Sequence, residues 1–529
     1  MNPETLHRRR WWTLAVLCLC LFVVSLDNTI LNVALPTLQS TLNTSASQLQ
    51  WIVDSYMLVF AGLLLSAGSL ADRFGRRLAL GAGLVVFGAG SALSAFSGSA
   101  GQLVGARALM GVGGALIMPA TLSIITTVFR DGRERAKAIA VWSAAAGLAV
   151  AAGPVAGGLL LRHFWWGSVF LVNLPIVALA LVSMRWLVPE SRDPRQSRLD
   201  PLGALLSTAG LSALVWAIIE GPSKGWTHST VVEAAAVGIG LLVAFAAWEV
   251  KTPSPMLDLS LFRNRRFSIA SLSITFLFFS LMGTIFFLTQ YLQDVLGYSA
   301  LAAGVRVVPI SAGLIFGAGL ATKLNERLGT RIVVAAGLAL SAFGLGILSL
   351  ARVDSGYGLV AASLAVLGLG IGFAMAPATD SIMNAVPPDK ASLGSAVNDT
   401  TRMVGGTLGV AVLGSILSSG YRAHVDVSGL HGAAAHAAHD RLQGALGVAG
   451  KVGGPRGAEL ASSASHAFVS AMNTTVLVGG GIALVGALLA LFLLPPRTPA
   501  LAAAEVEPGA DLAETGGRGK ATTSRPVPA

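Results

Sequence analysis

Charged residues are scarce in this chain. Only 12% of its 529 residues are Asp, Glu, Lys or Arg, whereas 54% are hydrophobic; an ordinary soluble domain is about 25% charged. This deficit excludes a protein whose bulk faces water. Cysteine is nearly absent too. The two cysteines, Cys18 and Cys20, stand two positions apart in one apolar run, so they do not face each other on a helix and a disulfide between them is not expected.

Several sequence motifs are also missing. No Gly-x-x-x-x-Gly-Lys-Ser/Thr phosphate loop occurs, which argues against an ATP-driven pump. No His-Glu-x-x-His or comparable cluster occurs, so we expect neither an enzyme nor a metal site. The formal net charge of +10 is not gathered into a basic stripe with interleaved aromatic residues, so nucleic acid is not an expected partner. No cofactor and no obligatory protein partner are expected either.

Long apolar runs are what the sequence has instead. A helix needs about 20 apolar residues to cross a bilayer, and fourteen stretches qualify. They predict an all-α integral membrane protein with fourteen transmembrane helices. The stretches are 13–35, 50–70, 78–97, 104–127, 137–160, 166–187, 202–220, 230–249, 268–290, 303–322, 332–351, 357–379, 393–418 and 473–494.

Basic residues are concentrated in alternate connections between these runs. The connections that contain Lys or Arg are 8–10, 71–77, 130–137, 185–198, 251–266, 323–331 and, with a single Lys, 390. The connections between them, 39–49, 97–103, 221–229 and 291–302, have almost none. Loops rich in Lys and Arg stay in the cytoplasm. We therefore expect a multi-pass protein of the bacterial cytoplasmic (inner) membrane with both termini inside. The N-terminus 1–12 and a disordered tail 495–529 would then be cytoplasmic, and the long connection 420–470 would lie outside.

A charged turn occurs twice. Gly68–Arg77 joins the second and third runs, and Leu324–Arg331 repeats its acid, its Arg, its Gly and its final Arg between the tenth and eleventh. Internal duplication in a polytopic membrane protein is typical of a transporter. The offset of eight spans predicts a 6+2+6 arrangement: a six-helix bundle over 13–187, a two-helix insertion with flanking loops over 188–267, and a second bundle over 268–494.

Six motifs occur together on successive spans. They are Leu26–Pro36, Gln50–Tyr56, Gly68–Arg77, Arg107 with Gly111, Gly113 and Pro119, Gly153-Pro154 with Gly157-Gly158, and Phe170–Pro175. On these residues the chain resembles, over nearly its whole length, the fourteen-span drug:proton antiporter family of the major facilitator superfamily, the EmrB/QacA type. The resemblance implies the major facilitator fold, two bundles around a central cavity, and a proton gradient rather than a cofactor as the energy source.

Charged side chains inside the apolar runs are candidates for proton and substrate sites. A carboxylate at the centre of a bare transmembrane helix costs about 2.5–3.5 kcal/mol on insertion scales, so Asp27 must face a cavity or a partner. A carboxyl group that alternates between wet and dry surroundings can load and release a proton; a structural hydrogen bond to another helix is the alternative for Asp27. Asp54 is a second candidate, against the alternative of an interfacial Asp that touches water.

Three further charged residues belong to this set. The resemblance implies a role in proton coupling for Arg107, and a loop charge is the alternative. Asp399 occupies a position where related exporters place an acid for cationic drugs. Asp380 is explained equally well by the cytoplasmic end of a helix. Aromatic residues of the ninth span could hold lipophilic cations by cation–π contact or could simply meet lipid; they are Phe276, Phe278, Phe279, Phe286 and Phe287.

The first charged turn is a candidate gate. Its proposed gating residues are Gly68, Asp72, Arg73, Gly75, Arg76 and Arg77. We expect the two glycines to let backbones come close and the acid to sit against a helix N-terminus of the other bundle; topological anchoring alone is the alternative. In the second copy Glu326 and Thr330 depart from the pattern, so we expect that copy mainly to fix the membrane topology of its helices.

The fifth span is a candidate seal. Gly153, Gly157 and Gly158 place small residues along one face, which permits close helix packing, and Pro154 adds a kink point. The resemblance implies that this motif seals the cavity against proton leak, and helix packing alone is the alternative. Taken together, the sequence predicts a proton-driven antiporter in the lipid bilayer that exports lipophilic, cationic small molecules by alternating access. A dedicated exporter of an antibiotic or metabolite made by the cell itself is the alternative.

Overall fold

The computed structural model describes residues 3–129, 131–192, 200–253, 255–386 and 391–495. This part of the chain is helical and contains no strand. Its helices are α1 (Pro3–Leu42), α2 (Ala46–Phe74), α3 (Arg76–Ala95), α4 (Ala100–Val128), α5 (Gly132–His163), α6 (Ser168–Leu171), α7 (Asn173–Leu187), α8 (Pro201–Lys224), α9 (Ser229–Lys251), α10 (Arg265–Gln290), α11 (Ala300–Leu328), α12 (Thr330–Leu348), α13 (Tyr357–Asn384), α14 (Ala391–His424), α15 (Gly432–Asp440), α16 (Leu442–Val452) and α17 (Gly454–Leu493).

Fourteen segments of the described chain are long and apolar enough to cross a membrane, which confirms the predicted number. The sixth of them is divided into α6 and α7. The break follows from Pro175, because a proline has no amide hydrogen and its ring crowds the carbonyl group four residues earlier, here that of Leu171. The ninth, α10, continues into a π-helical turn over Tyr291–Val295.

The helix ends are fixed by local sequence. Ser45 begins α2 with a reciprocal cap, in which its hydroxyl group accepts from the amide of Gln48 and its own amide donates to the Gln48 side chain. In the two charged turns, Gly75 has a φ of +123° and Gly329 a φ of +79°. Residues other than glycine rarely adopt these values. The glycine that the two copies of the turn share is thus the residue that ends α2 and α11.

The two bundles repeat one packing pattern. In the first bundle the most extensive helix pairs are α1 with α5, α2 with α4 and α3 with α4. In the second bundle they are α10 with α14, α11 with α13 and α12 with α13. These are the same pairs after an offset of eight spans. The packing therefore confirms the 6+2+6 arrangement, whereas the residue boundaries of the three regions stay a prediction.

The two inserted helices differ in their surroundings. Helix α8 packs against both α2 and α14, and Leu58, Val215, Ile219 and Ala411 form a small buried cluster where the three helices meet. Helix α9 packs mainly on α8 and is otherwise exposed over most of its length. Because α2 and α14 belong to different bundles, α8 covers the seam between the bundles.

The connection 420–470, expected to be a loop, is mostly helical. Helix α14 extends to His424, α15 and α16 follow, and the last span begins at Gly454 instead of near 473. Alanine favours helix, and α15 and α16, with 9 and 11 residues, are far too short to cross a bilayer. Helix α16 packs beside α17, and α15 packs on α16. Of the expected tail 495–529, all residues after Pro495 lie outside the described part of the chain.

Candidate functional site

The two faces of the fold differ in the charge of their connections. We call the side that carries the turns 71–77 and 323–331 the basic face. We call the side that carries the connections 39–49, 97–103 and 291–302 the neutral face. The helices of both bundles run between these two faces.

The bundles touch each other in the half of the fold next to the neutral face. The side-chain amide of Gln50 in α2 donates to the carbonyl oxygens of Val410 and Ala411 in α14, at 3.2 and 3.3 Å. The side-chain amide of Gln293 donates to the carbonyl oxygen of Val33 in α1, at 3.0 Å. Among the described residues, the hydrogen bonds that join the bundles all lie in this half. The protein is therefore closed at its neutral face.

Helices α5 and α11 form the second contact between the bundles. Gly158 lies directly against the backbone of α11, where a methyl group on it would be 2.8 Å from the carbonyl oxygen of Ala300. Gly304 of α11 lies even closer to the carbonyl group of Pro154. Backbone atoms cannot move aside as a side-chain tip can, so both positions require glycine for this approach.

The other glycines of the same motif face the interior of the first bundle. Gly153 packs against Thr29, and a methyl group on Gly157 would lie 3.0 Å from the carbonyl oxygen of Ile30. Thr29 and Ile30 belong to α1. The predicted face of small residues is thus split between two partners, α1 and α11. Helix α5 continues through Pro154.

The first charged turn is a hub within its own bundle. Asp72 pairs with Arg76 at 2.8 Å, and Arg76 also donates to the hydroxyl group of Thr127 in α4 at 2.6 Å. The amide of Arg77 donates to Glu190, in the segment after α7, at 3.1 Å. Arg76 and Glu190 therefore tie α2, α3, α4 and the end of the sixth span together at the basic face.

In this conformation Asp72 pairs inside the first bundle with Arg76, which lies four residues on at the start of α3. The expected contact of Asp72 with a helix N-terminus of the other bundle would belong to a conformation closed at the basic face, and it stays a prediction. Gly68 makes no unusually close approach, since a methyl group there would lie at an ordinary 3.7 Å from Pro119. Arg73 is exposed and its guanidinium lies over the ring of Phe74.

The second charged turn has no such hub. Glu326 and Arg327 are exposed, and no ion pair of either is found among the described residues. Gly329 still ends α11 with a positive φ. The backbone function of the turn is thus repeated, and the side-chain network is not.

Asp27 and Arg107 form a buried ion pair. Asp27 is completely buried, Arg107 is 1% exposed, and Arg107 donates directly to the Asp27 carboxylate. Asn173 donates to the other carboxylate oxygen at 3.1 Å. The Arg107 guanidinium lies 4.4 Å from the ring centre of Tyr56 and also donates to the carbonyl oxygen of Ile52. Two residues predicted separately are thus one unit that joins α1, α4 and α7.

Asp54 is buried without a partner. It is completely buried, and neither carboxylate oxygen has a hydrogen-bond partner among the described residues. It lies one helical turn from Gln50, which bonds to α14, and three residues from Met57, whose sulfur lies near Gly406 of α14. These spacings place Asp54 on the face of α2 that meets α14. The carboxyl group is therefore in the contact between the bundles.

The acids of the second bundle differ from each other. Asp399 is buried, and its carboxylate oxygen lies 3.7 Å from a guanidinium nitrogen of Arg402 on the same helix. Arg402 also donates to the hydroxyl group of Thr379 in α13 at 3.3 Å. Asp380 is exposed near the end of α13. Asp294 belongs to the π-helical turn after α10 and accepts from Gln443 at 2.9 Å.

Sequence reasoning missed two residues of these networks. Arg402 stands three positions after Asp399, which is the spacing of neighbours on one helix face, and that spacing could have indicated it. Asn173 lies in the Phe170–Pro175 motif, but nothing in the sequence connects it with Asp27.

Comparison with known proteins identifies the family. The chain matches the family model of the Major Facilitator Superfamily over residues 17–410. The chain belongs to this superfamily. It is 40% identical to the multidrug efflux pump LfrA of Mycolicibacterium smegmatis over 481 residues, which cover 90% of this chain and 95% of LfrA. It is 33% identical to the methyl viologen resistance protein SmvA of Salmonella typhimurium over 487 residues, 90% of this chain and 97% of that protein.

The fold also matches solved transporters of the superfamily. A bacterial homologue of the human lysosomal transporter Spinster, solved in an inward-facing, unoccupied conformation, aligns with a TM-score of 0.66 at 20% identity. The alignment covers 93% of this chain and 99% of that one. The likeness confirms the major facilitator fold and, with the fourteen apolar segments, a multi-pass membrane protein.

In this superfamily member the buried carboxyl groups of Asp27, Asp54 and Asp399 differ in how their charge is balanced. The Asp27–Arg107 pair is neutral as a whole and fully held, so it supports the packing of three helices. Asp54 has no hydrogen-bond partner or counter-charge among the described residues, so the simplest way to keep it neutral is a bound proton. Asp399 lies beside the guanidinium of Arg402, which is too far away to form a hydrogen bond with it.

Proposed function

We propose that this protein is a proton-driven antiporter that exports lipophilic cations across the bacterial cytoplasmic membrane. The observation that carries the proposal is the unpartnered carboxyl group of Asp54, which is buried in the contact between the bundles. Such a group makes closure of the neutral face depend on a proton.

The basic face is the cytoplasmic side in this proposal. Alternate connections rich in Lys and Arg support that orientation, and both termini would then be cytoplasmic. The neutral face would be external. Because the contacts between the bundles lie at the neutral face, the described conformation would be closed to the outside.

Asp54 is the proposed proton carrier. An ionised carboxylate in a closed contact loses its hydration, and Asp54 gains no donor in return from the part of the chain that the structure describes, which is strongly unfavourable. When the neutral face is open, Asp54 meets external water and takes up a proton. When α2 closes on α14, the neutral carboxyl group is buried at far lower cost. Loss of the proton to the cytoplasm leaves a negative charge that favours reopening toward water.

The Asp27–Arg107 pair has a supporting role in this scheme. Its carboxylate is already neutralised by a guanidinium and receives a further hydrogen bond from Asn173. A proton on Asp27 would leave Arg107 charged, buried and without its counter-ion. We therefore assign the transported proton to Asp54 and the positioning of α4 against α1 to the ion pair.

The substrate class rests on the relatives and on the charge of the site. LfrA is a multidrug efflux pump and SmvA confers resistance to methyl viologen, which is an organic dication. In the second bundle the carboxylate of Asp399 and the aromatic ring of Phe278 both lie beside the guanidinium of Arg402, and a carboxylate with an aromatic ring suits an organic cation. One charge moved through 100 mV supplies about 2.3 kcal/mol, which supports a gradient of about fifty-fold.

Transport of ethidium in proteoliposomes tests the proposal. A pH gradient is imposed, and the parent is compared with Asp54→Asn and with Asp354→Asn, which removes an exposed carboxylate at the neutral face. We expect the parent and Asp354→Asn to concentrate the dye. Asn mimics the protonated side chain, so Asp54→Asn should exchange dye for dye across the membrane but should not concentrate it against a gradient.

Two results would count against this function. If Asp54→Asn concentrates ethidium as the parent does, Asp54 is not the coupling site. If the folded parent moves neither ethidium nor methyl viologen, the protein is not an exporter of such cations, and a dedicated exporter of one metabolite becomes the better account.

A further inference from the structure

Arg402 occupies the surroundings that an organic cation would need. Its guanidinium nitrogen lies 3.7 Å from a carboxylate oxygen of Asp399, and its central carbon lies 5.6 Å from the ring centre of Phe278 in α10. The hydroxyl group of Thr379 in α13 accepts from it at 3.3 Å. A carboxylate, an aromatic face and a hydroxyl group from three helices thus surround one positive charge.

The guanidinium is held loosely. A separation of 3.7 Å is too long for a hydrogen bond, and its Nε group is buried without a hydrogen-bond partner among the described residues. A firmly held Arg–carboxylate pair has two short parallel hydrogen bonds. The side chains of Arg402 and Asp399 are 21% and 12% exposed. The pair is therefore mostly buried but has no direct hydrogen bond, so less interaction is lost when it separates than in a bidentate pair.

This group lies on the face of α14 that meets the first bundle. Asp399, Arg402 and Gly406 follow the spacing of one helix face, and Gly406 is where α14 comes near Met57 of the first bundle. Met57 is three residues from Asp54, and α14 runs from the basic face toward the neutral face. Asp399 and Arg402 thus lie on the basic side of the contact that holds Asp54.

We propose that Arg402 is a tethered substitute for the cationic substrate. In the empty protein its guanidinium neutralises Asp399. When an organic cation enters from the basic side, Arg402 swings away, and the substrate takes its place at Asp399 and Phe278. Arg402 thereby sets the affinity for cations, because every substrate must compete with it. This inference rests on the proposed export of cations and adds the residue that tunes the site.

Competition predicts that removing the tethered cation tightens binding. A partly exposed ion pair contributes modestly, so we expect the dissociation constant of a monovalent organic cation to fall about two- to five-fold in Arg402→Gln. Arg402→Lys keeps a competing charge and should bind close to the parent level. Asp399→Asn should bind more weakly. In an Asp399→Asn background, Arg402→Gln should no longer tighten binding, because the carboxylate for which the two cations compete is gone.

The test is equilibrium binding of tetraphenylphosphonium to the purified full-length protein in lipid nanodiscs. Arg306→Gln is the matched control: Arg306 also lies over aromatic rings, those of Tyr298 and Tyr357, but it has no ion pair among the described residues. It should leave the dissociation constant unchanged. Arg402→Met serves as a second neutral variant if Arg402→Gln does not give folded, monodisperse protein.

The outcomes separate this inference from the function on which it rests. The inference is supported if both neutral Arg402 variants bind the cation more tightly than the parent and this effect disappears when Asp399 is replaced. If the parent transports the cation but the Arg402 variants bind it no more tightly than the parent, only the inference is overturned. The same holds if the Arg402 substitution lowers the dissociation constant equally in the Asp399→Asn background. If neither the parent nor the Arg402 variants bind or transport the cation, both are overturned. If binding tightens but transport ignores the proton gradient, the inference stands and proton-driven export fails.

Discussion

A single methyl group at Gly158 should push the two bundles apart at the neutral face. Gly158 lies against the backbone of α11, where the new methyl group would be 2.8 Å from both the carbonyl oxygen of Ala300 and the amide nitrogen of Leu301. A Cβ atom essentially never lies within 3.0 Å of a heavy atom of another helix, and the backbone of neither helix can shift at this one residue alone. Gly158→Ala therefore acts on the closed conformation and leaves a conformation with separated bundles unstrained.

The magnitude follows from the cost of overpacking. Inserting a methyl group into a well-packed contact costs about 1–3 kcal/mol. Alanine also has a better helix propensity than glycine by about 0.5–1 kcal/mol, but this gain applies equally to the open and closed conformations and cancels. Since 1.4 kcal/mol is a factor of ten, the ratio of open to closed protein should rise by about five- to 150-fold. Gly147→Ala, on the same helix with open space around it, should not change this ratio.

Spin-label distances across the neutral face measure this ratio. Labels are placed at Gly101→Cys in α4 and Gly356→Cys before α13, two exposed positions with free space, one in each bundle. The native Cys18 and Cys20 are replaced by alanine first. We expect one short distance in the parent and in Gly147→Ala, and a longer distance that gains population in Gly158→Ala. A folded Gly158→Ala protein with the parent's distance distribution would refute the proposed role of this glycine contact.

Two further substitutions test the packing around the site. Asp27→Asn leaves the Arg107 charge buried without its counter-ion, so we expect a loss of stability of about 3–5 kcal/mol, seen as a lower midpoint of thermal unfolding in detergent; a midpoint equal to that of Asp354→Asn would contradict the structural role of the pair. Gly62→Leu would overlap Thr208 of α8, so we expect α8 to move away from the seam, measured as new protease or label access there, and unchanged access would argue against α8 as the cover of the seam.

The position of each candidate residue along its span could be predicted from the sequence alone. Apolar length gives the spans, the alternation of basic connections predicts their direction, and the recurring turn gives the offset of eight that the packing confirms. Gly75 and Gly329 could be recognised because a helix that ends in a tight charged turn needs a residue tolerant of positive φ. All of these are local properties, which the chain carries wherever its helices finally pack.

The partners of the buried charges were decided only by the tertiary structure. Asp27 and Asp54 look alike in sequence, as single acids within apolar runs, yet Asp27 meets Arg107 and Asp54 meets no donor among the described residues. The difference arises from how each helix is rotated against its neighbours, and rotation depends on the packing of all the helices together. For the same reason Arg402 became visible as a competitor for Asp399 only when α10, α13 and α14 were placed around it.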